Sequence, residues 1–138
     1  MFGTKEALFL EVLERAGDMI VNQMESIGLD TFDLSRFTAA FRRTVLEDSV
    51  MSVLQQGFAA SAAVPAVGAY VRDLLARMYG VLIEHANASP EEARDYLARG
   101  LLINTVLAMG YQEHADENPW VQPLIDVILE PDGGGTAG

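Results

Sequence analysis

Two segments near the C-terminal end are apolar on almost every side of a helix, and this feature constrains the fold more than any other. Residues 100–110 read GLLINTVLAMG, in which only Asn104 and Thr105 carry polar side chains. Residues 120–129 repeat the pattern, because their apolar side chains are too many to face a single core. A helix that is apolar all round is buried all round. Both segments therefore need contact with protein on more than one side.

In a chain of 138 residues, two such helices adjacent in sequence indicate a second protein surface. We expect a homodimer held by a four-helix bundle, with two helices from each subunit. The alternative is that one of the two helices is the central helix of a compact single-chain bundle. The candidate interface residues are Leu101, Leu102, Asn104, Thr105, Leu107, Ala108, Trp120, Val121, Leu124, Ile125 and Ile128.

The rest of the chain also has the periodicity of helices, and no segment shows the alternation of a strand. Pro65 predicts a joint, because a proline inside a helix loses a hydrogen bond and clashes. Ser89 followed by Pro90 and two acids predicts a strong helix start. Thr4 and Asn118 are candidate caps for the first and last helices. The predicted helices cover residues 4–27, 34–46, 50–62, 66–85, 90–110 and 119–130.

These elements predict an all-α fold, a helical bundle of about six helices, with the last two forming the dimeric four-helix bundle. The domain covers residues 1–130 and combines ligand binding with dimerisation. Residues 131–138 form a glycine-rich tail with no means of burying surface, so we expect it to be disordered.

The composition excludes several classes of protein. The chain has no cysteine, so it has neither disulfides nor thiolate metal sites, and it suits a reducing cytoplasm. The N-terminal stretch carries charges throughout its apolar pattern, which is unlike a signal peptide or a membrane anchor. Twenty acidic residues against nine basic ones leave a net charge of −11, so this chain alone should be repelled by DNA.

Residues for catalysis or metal binding are scarce. His85 and His114 are distant in sequence, and the acids near His114 fall in a predicted loop where solvation explains them. The chain lacks a Gly-x-Ser-x-Gly motif and a phosphate-binding glycine loop. We therefore expect no enzymatic activity, no metal and no cofactor.

An apolar pocket between the helices over 34–46, 50–62 and 66–85 is the remaining candidate site. Such pockets are lined by apolar and aromatic side chains with a few polar groups that fix the orientation of the ligand. The same stripes also build an ordinary core, and Asn104 could serve either the pocket or the dimer register. The candidate pocket residues are Met19, Gln23, Phe37, Phe41, Gln56, Phe58, Tyr70, Met78 and Tyr79.

Residues 2–16, FGTKEALFLEVLERA, resemble a segment of TetR-family transcriptional regulators. In that family a helix-turn-helix ends in a Phe, matched by Phe2. A short turn, matched by residues 3–6, then opens the long helix that links the DNA-binding head to the sensor body. The resemblance implies a homodimeric bacterial regulator that senses a small, largely apolar effector. It also implies that Lys5 would contact the DNA backbone if the head were present.

The chain departs from the family because the three helices expected before Phe2 are absent from it. A fragment, a mis-called start codon and a genuinely headless relative all remain open. We therefore expect an effector-sensing and dimerisation domain with no autonomous DNA binding. The alternative is a headless dimerisation module that pairs with itself or with an intact paralogue.

Overall fold

A computed structural model describes residues 2–27, 33, 36, 39–40 and 50–129, and these residues form helices and turns without any strand. The prediction of an all-α fold is confirmed. The helices are α1 (Phe2–Ser26), α2 (Val50–Ala60), α3 (Pro65–Gly80), α4 (Pro90–Ala108) and α5 (Val121–Leu129). A π-helical turn, Val81–His85, continues α3, and a 3₁₀ turn, Tyr111–His114, precedes α5.

The predicted helix boundaries agree with the structure to within two residues in most places. α1 begins before the expected cap Thr4, which therefore lies inside the first turn. α5 begins at Val121, and the Asn118 side chain donates to the carbonyl of His114, 3.0 Å away, instead of capping that helix. The helix predicted over 34–46 falls largely outside the described residues, although Arg36 and residues 39–40 are helical. The predicted tail lies outside them entirely.

α1 buries one stripe of its surface against α2 and α3. The stripe repeats every three or four residues, which places its members on one side of a helix. Removing each large apolar side chain from water contributes about 1.5–3 kcal/mol, so this stripe anchors the N-terminal helix to the bundle. Its buried members are Leu13, Ala16, Ile20, Val21 and Met24.

The joint between α2 and α3 follows from Pro65. Proline takes the first position of α3, where its missing amide hydrogen has no partner to lose. Gly68 allows α3 to cross close to the end of α2, because a Cβ at this position would overlap the carbonyl oxygen of Ser61. No single helix in the described residues is long and apolar enough to cross a membrane; α2 together with residues 65–85 passes by length and composition only as a pair bent by 120°.

The start of α4 shows the predicted capping arrangement. The Ser89 hydroxyl accepts a hydrogen bond from the Glu92 amide at 3.1 Å, and the Glu92 carboxylate accepts one from the Ser89 amide at 2.9 Å. Pro90 occupies the first helical position. Asn87, just before this box, has a φ of 56°, a left-handed conformation that asparagine tolerates better than most residues. Asn87 and the capping box thus form the short connection between the π turn and α4.

The buried side chains divide into two clusters that meet along α4. The main core joins α1, α2, α3 and the first half of α4, where Ala93 and Tyr96 are buried. The second core joins the end of α4 to α5, which packs against α4 and the 3₁₀ turn. This second core consists of Ile103, Val106, Val121, Ile125 and Ile128. α4 is therefore the element shared by both halves of the structure.

We predict opposite effects for alanine at two glycines of α3. Gly68→Ala should lower the free energy of unfolding by about 1–3 kcal/mol, since the added methyl group meets backbone that cannot rotate away. Gly80→Ala should leave it unchanged or raise it by up to about 1 kcal/mol, because the space beside Gly80 is open and alanine favours helix. Urea denaturation measures both. Equal effects of the two changes would contradict the close crossing at Gly68.

Candidate functional site

A small apolar cavity lies in the main core, where α1 to α4 come together. Its volume is about 50 Å³. α1 contributes Ile20 to its wall, and α4 contributes Tyr96, Leu97, Gly100, Leu101 and Asn104. The walls from α2 and α3 are Met51, Leu54, Phe58, Leu74, Leu75 and Met78. The wall is therefore almost entirely carbon, with α4 supplying the polar atoms.

The volume limits what the cavity can hold without rearrangement. Pockets for drug-sized ligands measure roughly 300–1,000 Å³, so this cavity accepts a small group or a water molecule as it stands. Phe58 and Met78 in its wall are only half-buried, and the unbranched methionine side chain readily changes shape. Leu101 is 44% exposed while also lining the cavity, which places this side chain between cavity and solvent. Movement of these three side chains would enlarge the cavity.

Asn104 is a polar residue of this wall that is almost completely buried. It is 2% exposed, and its side-chain oxygen Oδ1 has no hydrogen-bond partner among the described residues. A buried polar atom without a partner costs about 1–3 kcal/mol. The nearby Tyr96 is also buried, and burial raises the pKa of its hydroxyl. The cavity is therefore lined by apolar side chains and by one asparagine whose side-chain oxygen is buried without a partner.

A separate polar network ties α1 to α3. The Tyr70 hydroxyl lies 3.1 Å from the Glu14 carbonyl oxygen and 3.2 Å from Asp18 Oδ1. Arg77 Nη2 donates to Asp18 Oδ1 at 3.0 Å and to the Tyr70 hydroxyl at 3.3 Å. A Cβ at Gly17 would overlap that hydroxyl, so glycine is required for Tyr70 to reach the α1 backbone. This network serves the packing of the two helices.

The network changes the ionisation of Tyr70. Partial burial and the negative charge of Asp18 raise the pKa of the Tyr70 hydroxyl to about 12. Its ionised form would face the Asp18 carboxylate, while Arg77 only partly offsets that repulsion. The neutral hydroxyl is therefore the form that the folded protein favours.

A wider groove of about 550 Å³ lies on the surface between α1 and the α3–π-turn junction. Its walls carry the charged side chains of Asp18, Glu25, Arg77 and Glu84, together with His85. Apart from Arg77 these side chains are exposed, so water already solvates them. The groove therefore lacks the enclosed apolar surface that holds a small organic molecule.

The structure brings together two of the predicted pocket residues, Phe58 and Met78, in the cavity wall. Met19, Gln56 and Tyr79 are exposed, Gln23 is half-buried on α1, and Tyr70 belongs to the polar network. Phe37 and Phe41 lie outside the described residues. Sequence reasoning missed Ile20, Met51, Leu54, Leu74, Leu75, Tyr96 and Leu97, which have the same helical spacing as any core residue.

The predicted interface residues fall into four groups. Leu101, Leu102, Ala108 and Trp120 are exposed, with the Trp120 ring packed edge-on against Tyr111 at 5.1 Å. Thr105, Leu107 and Leu124 are half-buried, while Asn104 lines the cavity. Val121, Ile125 and Ile128 are buried in the second core of their own chain. Lys5, the predicted DNA contact, is exposed near the start of α1.

The described residues hold no group of three or more histidine, aspartate or glutamate side chains arranged to bind a metal ion. The chain matches no protein-family model, no curated protein and no solved structure. The case for a function therefore rests on the geometry of the cavity, on the exposed apolar surface and on residues 2–16.

We predict that stability falls as the pH rises from 10 to 12, and that Tyr70 accounts for part of the fall. The pKa of Tyr70 is about 12 in the folded protein and about 10 in the unfolded chain. Its contribution is therefore complete below pH 10 and is lost as the pH rises through 12. Tyr70→Phe should cost about 1 kcal/mol at neutral pH but lose less stability between pH 10 and 12. Urea denaturation across this range measures both, and parallel pH profiles would refute the assignment.

Proposed function

We propose that this chain is the effector-sensing and dimerisation domain of a TetR-like transcriptional regulator, binding a small, largely apolar molecule. The observation that carries the proposal is the apolar cavity lined by four helices, with Asn104 and its unsatisfied side-chain oxygen contributing to the lining. Pockets of this composition suit small organic ligands. The assignment to a regulator is supported by the resemblance of residues 2–16 to the segment that joins a DNA-binding head to a sensor.

The position of α4 supports a link between sensing and dimerisation. Its residues 96–104 contribute to the cavity wall, and its end carries several predicted interface residues. Ile20 places α1, the proposed connector to a DNA-binding head, in the same wall. A ligand that displaces one of these helices as it widens the cavity shifts the population towards the arrangement that it binds better.

Exposed apolar side chains support dimerisation through the end of α4 and α5. Large exposed apolar patches on a monomer mark surfaces that another protein covers. α4 and α5, with the residues beside them, expose Leu101, Leu102, Met109, Trp120 and Val127. The net charge of −11 supports the further point that this chain does not bind DNA by itself.

A module that dimerises without sensing a ligand is the second candidate. The small volume of the cavity favours it, because about 50 Å³ is also the size of an ordinary packing defect with a trapped water. Such a module would pair with itself or with an intact paralogue through the same exposed residues. Ligand binding separates the two candidates.

We predict that small apolar compounds raise the melting temperature. The probes are toluene, naphthalene and medium-chain alkanols, and saturating a site at 100 times Kd adds about 2.7 kcal/mol to stability. Met78→Ala should enlarge the cavity and improve naphthalene binding, whereas Tyr79→Ala, an exposed neighbour on α3, should not. Differential scanning fluorimetry measures the shifts. No shift with any probe, for wild type or Met78→Ala, would reject the sensing role.

We also predict that the chain forms a homodimer and that one charged substitution at the interface disrupts it. Wild-type protein at micromolar concentration should sediment at about twice the chain mass of 15.0 kDa. Leu102 is 42% exposed and belongs to neither the cavity wall nor the second core, so Leu102→Glu should yield folded monomer. Ala59→Glu places the same charge on the exposed side of α2 and should leave the dimer intact. A monomeric wild type would refute the proposed interface.

A further inference from the structure

The side-chain oxygen of Asn104 is buried and makes no hydrogen bond with the described residues. Two buried side-chain atoms among the described residues lack a hydrogen bond, Arg77 Nε and Asn104 Oδ1. Arg77 Nε lies 3.0 Å from the Asp73 carboxylate, so an ion pair compensates it even without hydrogen-bond alignment. The neighbouring Thr105 hydroxyl already donates to the Leu101 carbonyl at 2.9 Å. Asn104 Oδ1 therefore stands apart as an uncompensated acceptor.

The surroundings of this acceptor define the group that would satisfy it. Asn104 lines the cavity, and the other side chains in the wall are apolar except for the Tyr96 hydroxyl. An amide oxygen accepts hydrogen bonds, so its partner must present an O–H or N–H group. A ligand carboxylate cannot donate, and an unpaired charge among these carbon atoms would be strongly disfavoured. The fit is to an uncharged molecule with one donor on an apolar body.

We propose that the effector is a neutral amphiphile, an alcohol, a phenol or an uncharged amide, whose donor binds Asn104 Oδ1. This inference rests on the sensing function proposed above and adds the chemical class of the ligand. The donor group fits the cavity of about 50 Å³, and it reaches Asn104 Oδ1, which is closed to water in this structure, when the Asn104 side chain turns towards the cavity. The apolar body extends along Phe58, Met78 and Leu101 as those side chains move aside. Asn104 is thus the residue that determines specificity between donors and hydrocarbons.

A buried water is the competing occupant, because the cavity is large enough for one and Asn104 would give it a partner. A retained water would satisfy the acceptor without distinguishing among ligands. Matched pairs of probes separate these possibilities. Phenol and fluorobenzene have nearly the same shape, and 1-hexanol and methyl pentyl ether are isomers. In each pair only the first compound donates a hydrogen bond.

The test measures the affinity of these four compounds for the full chain by calorimetry and by thermal shift. For wild type, each donor should bind about tenfold to a hundredfold more tightly than its matched partner, since a donor satisfies an acceptor that its partner leaves bare. Asn104→Leu keeps the size of the side chain and removes the acceptor, so this preference should vanish. Thr105→Val, which removes a neighbouring hydroxyl that lies outside the cavity wall, should keep the preference.

The outcomes distinguish this inference from the proposed function. Equal binding within each pair by wild type would overturn the role of Asn104 while leaving the sensing function standing, with a water as the acceptor's partner. Binding by none of the four compounds would count against both. A preference that survives in Asn104→Leu would also overturn the assignment. The wild-type comparison needs no variant, so the test holds even if Asn104→Leu fails to fold.

Discussion

The structure depends on one helix being buried on more than one side. α4 packs its first half into the main core, where Ala93 is fully buried, and its second half into the smaller core around Ile103. Within the part of the chain that the structure describes, α5 packs against α4 and the 3₁₀ turn, so the second core depends on α4. Asn104 lies beside Ile103, facing the cavity in the main core. A displacement of α4 would therefore change the side-chain packing in both cores.

The N-terminal half is held by a different kind of contact. α1 presents an apolar stripe to α2 and α3, and the Tyr70–Asp18–Arg77 network then fixes how α3 lies along it. Gly17 leaves room for the Tyr70 hydroxyl to approach the α1 backbone. The contact between these two residues therefore helps to set the distance between α1 and α3. Apolar burial supplies most of the stability, whereas these directional bonds add specific contacts between α1 and α3.

Local chemistry made part of this fold predictable from the sequence. Ser89 and Glu92 form the expected capping box, and Pro65 begins a helix after the expected joint. The site was harder to predict, because helical spacing marks an apolar face without showing which side chains leave a gap. Val121 and Trp120 are both apolar neighbours in sequence, yet one is buried in its own chain and the other is exposed. That difference depends on how α5 is rotated against α4, which only tertiary packing decides.

The sequence leaves two roles open for Asn104, and the structure bears on the choice between them. From the pattern alone, a lone asparagine in an apolar helix serves either a pocket or a helix pair. Its burial to 2% exposure within a single chain, in the lining of the cavity, favours the pocket, since a register-setting asparagine lies on the surface that a second chain covers. The exposed Leu102, two residues earlier, points away from that wall and suits the interface. Under the proposed function, a single stretch of α4 would offer one face to a ligand and another to a second chain, and a ligand that displaces α4 would then change the free energy of contact between the chains.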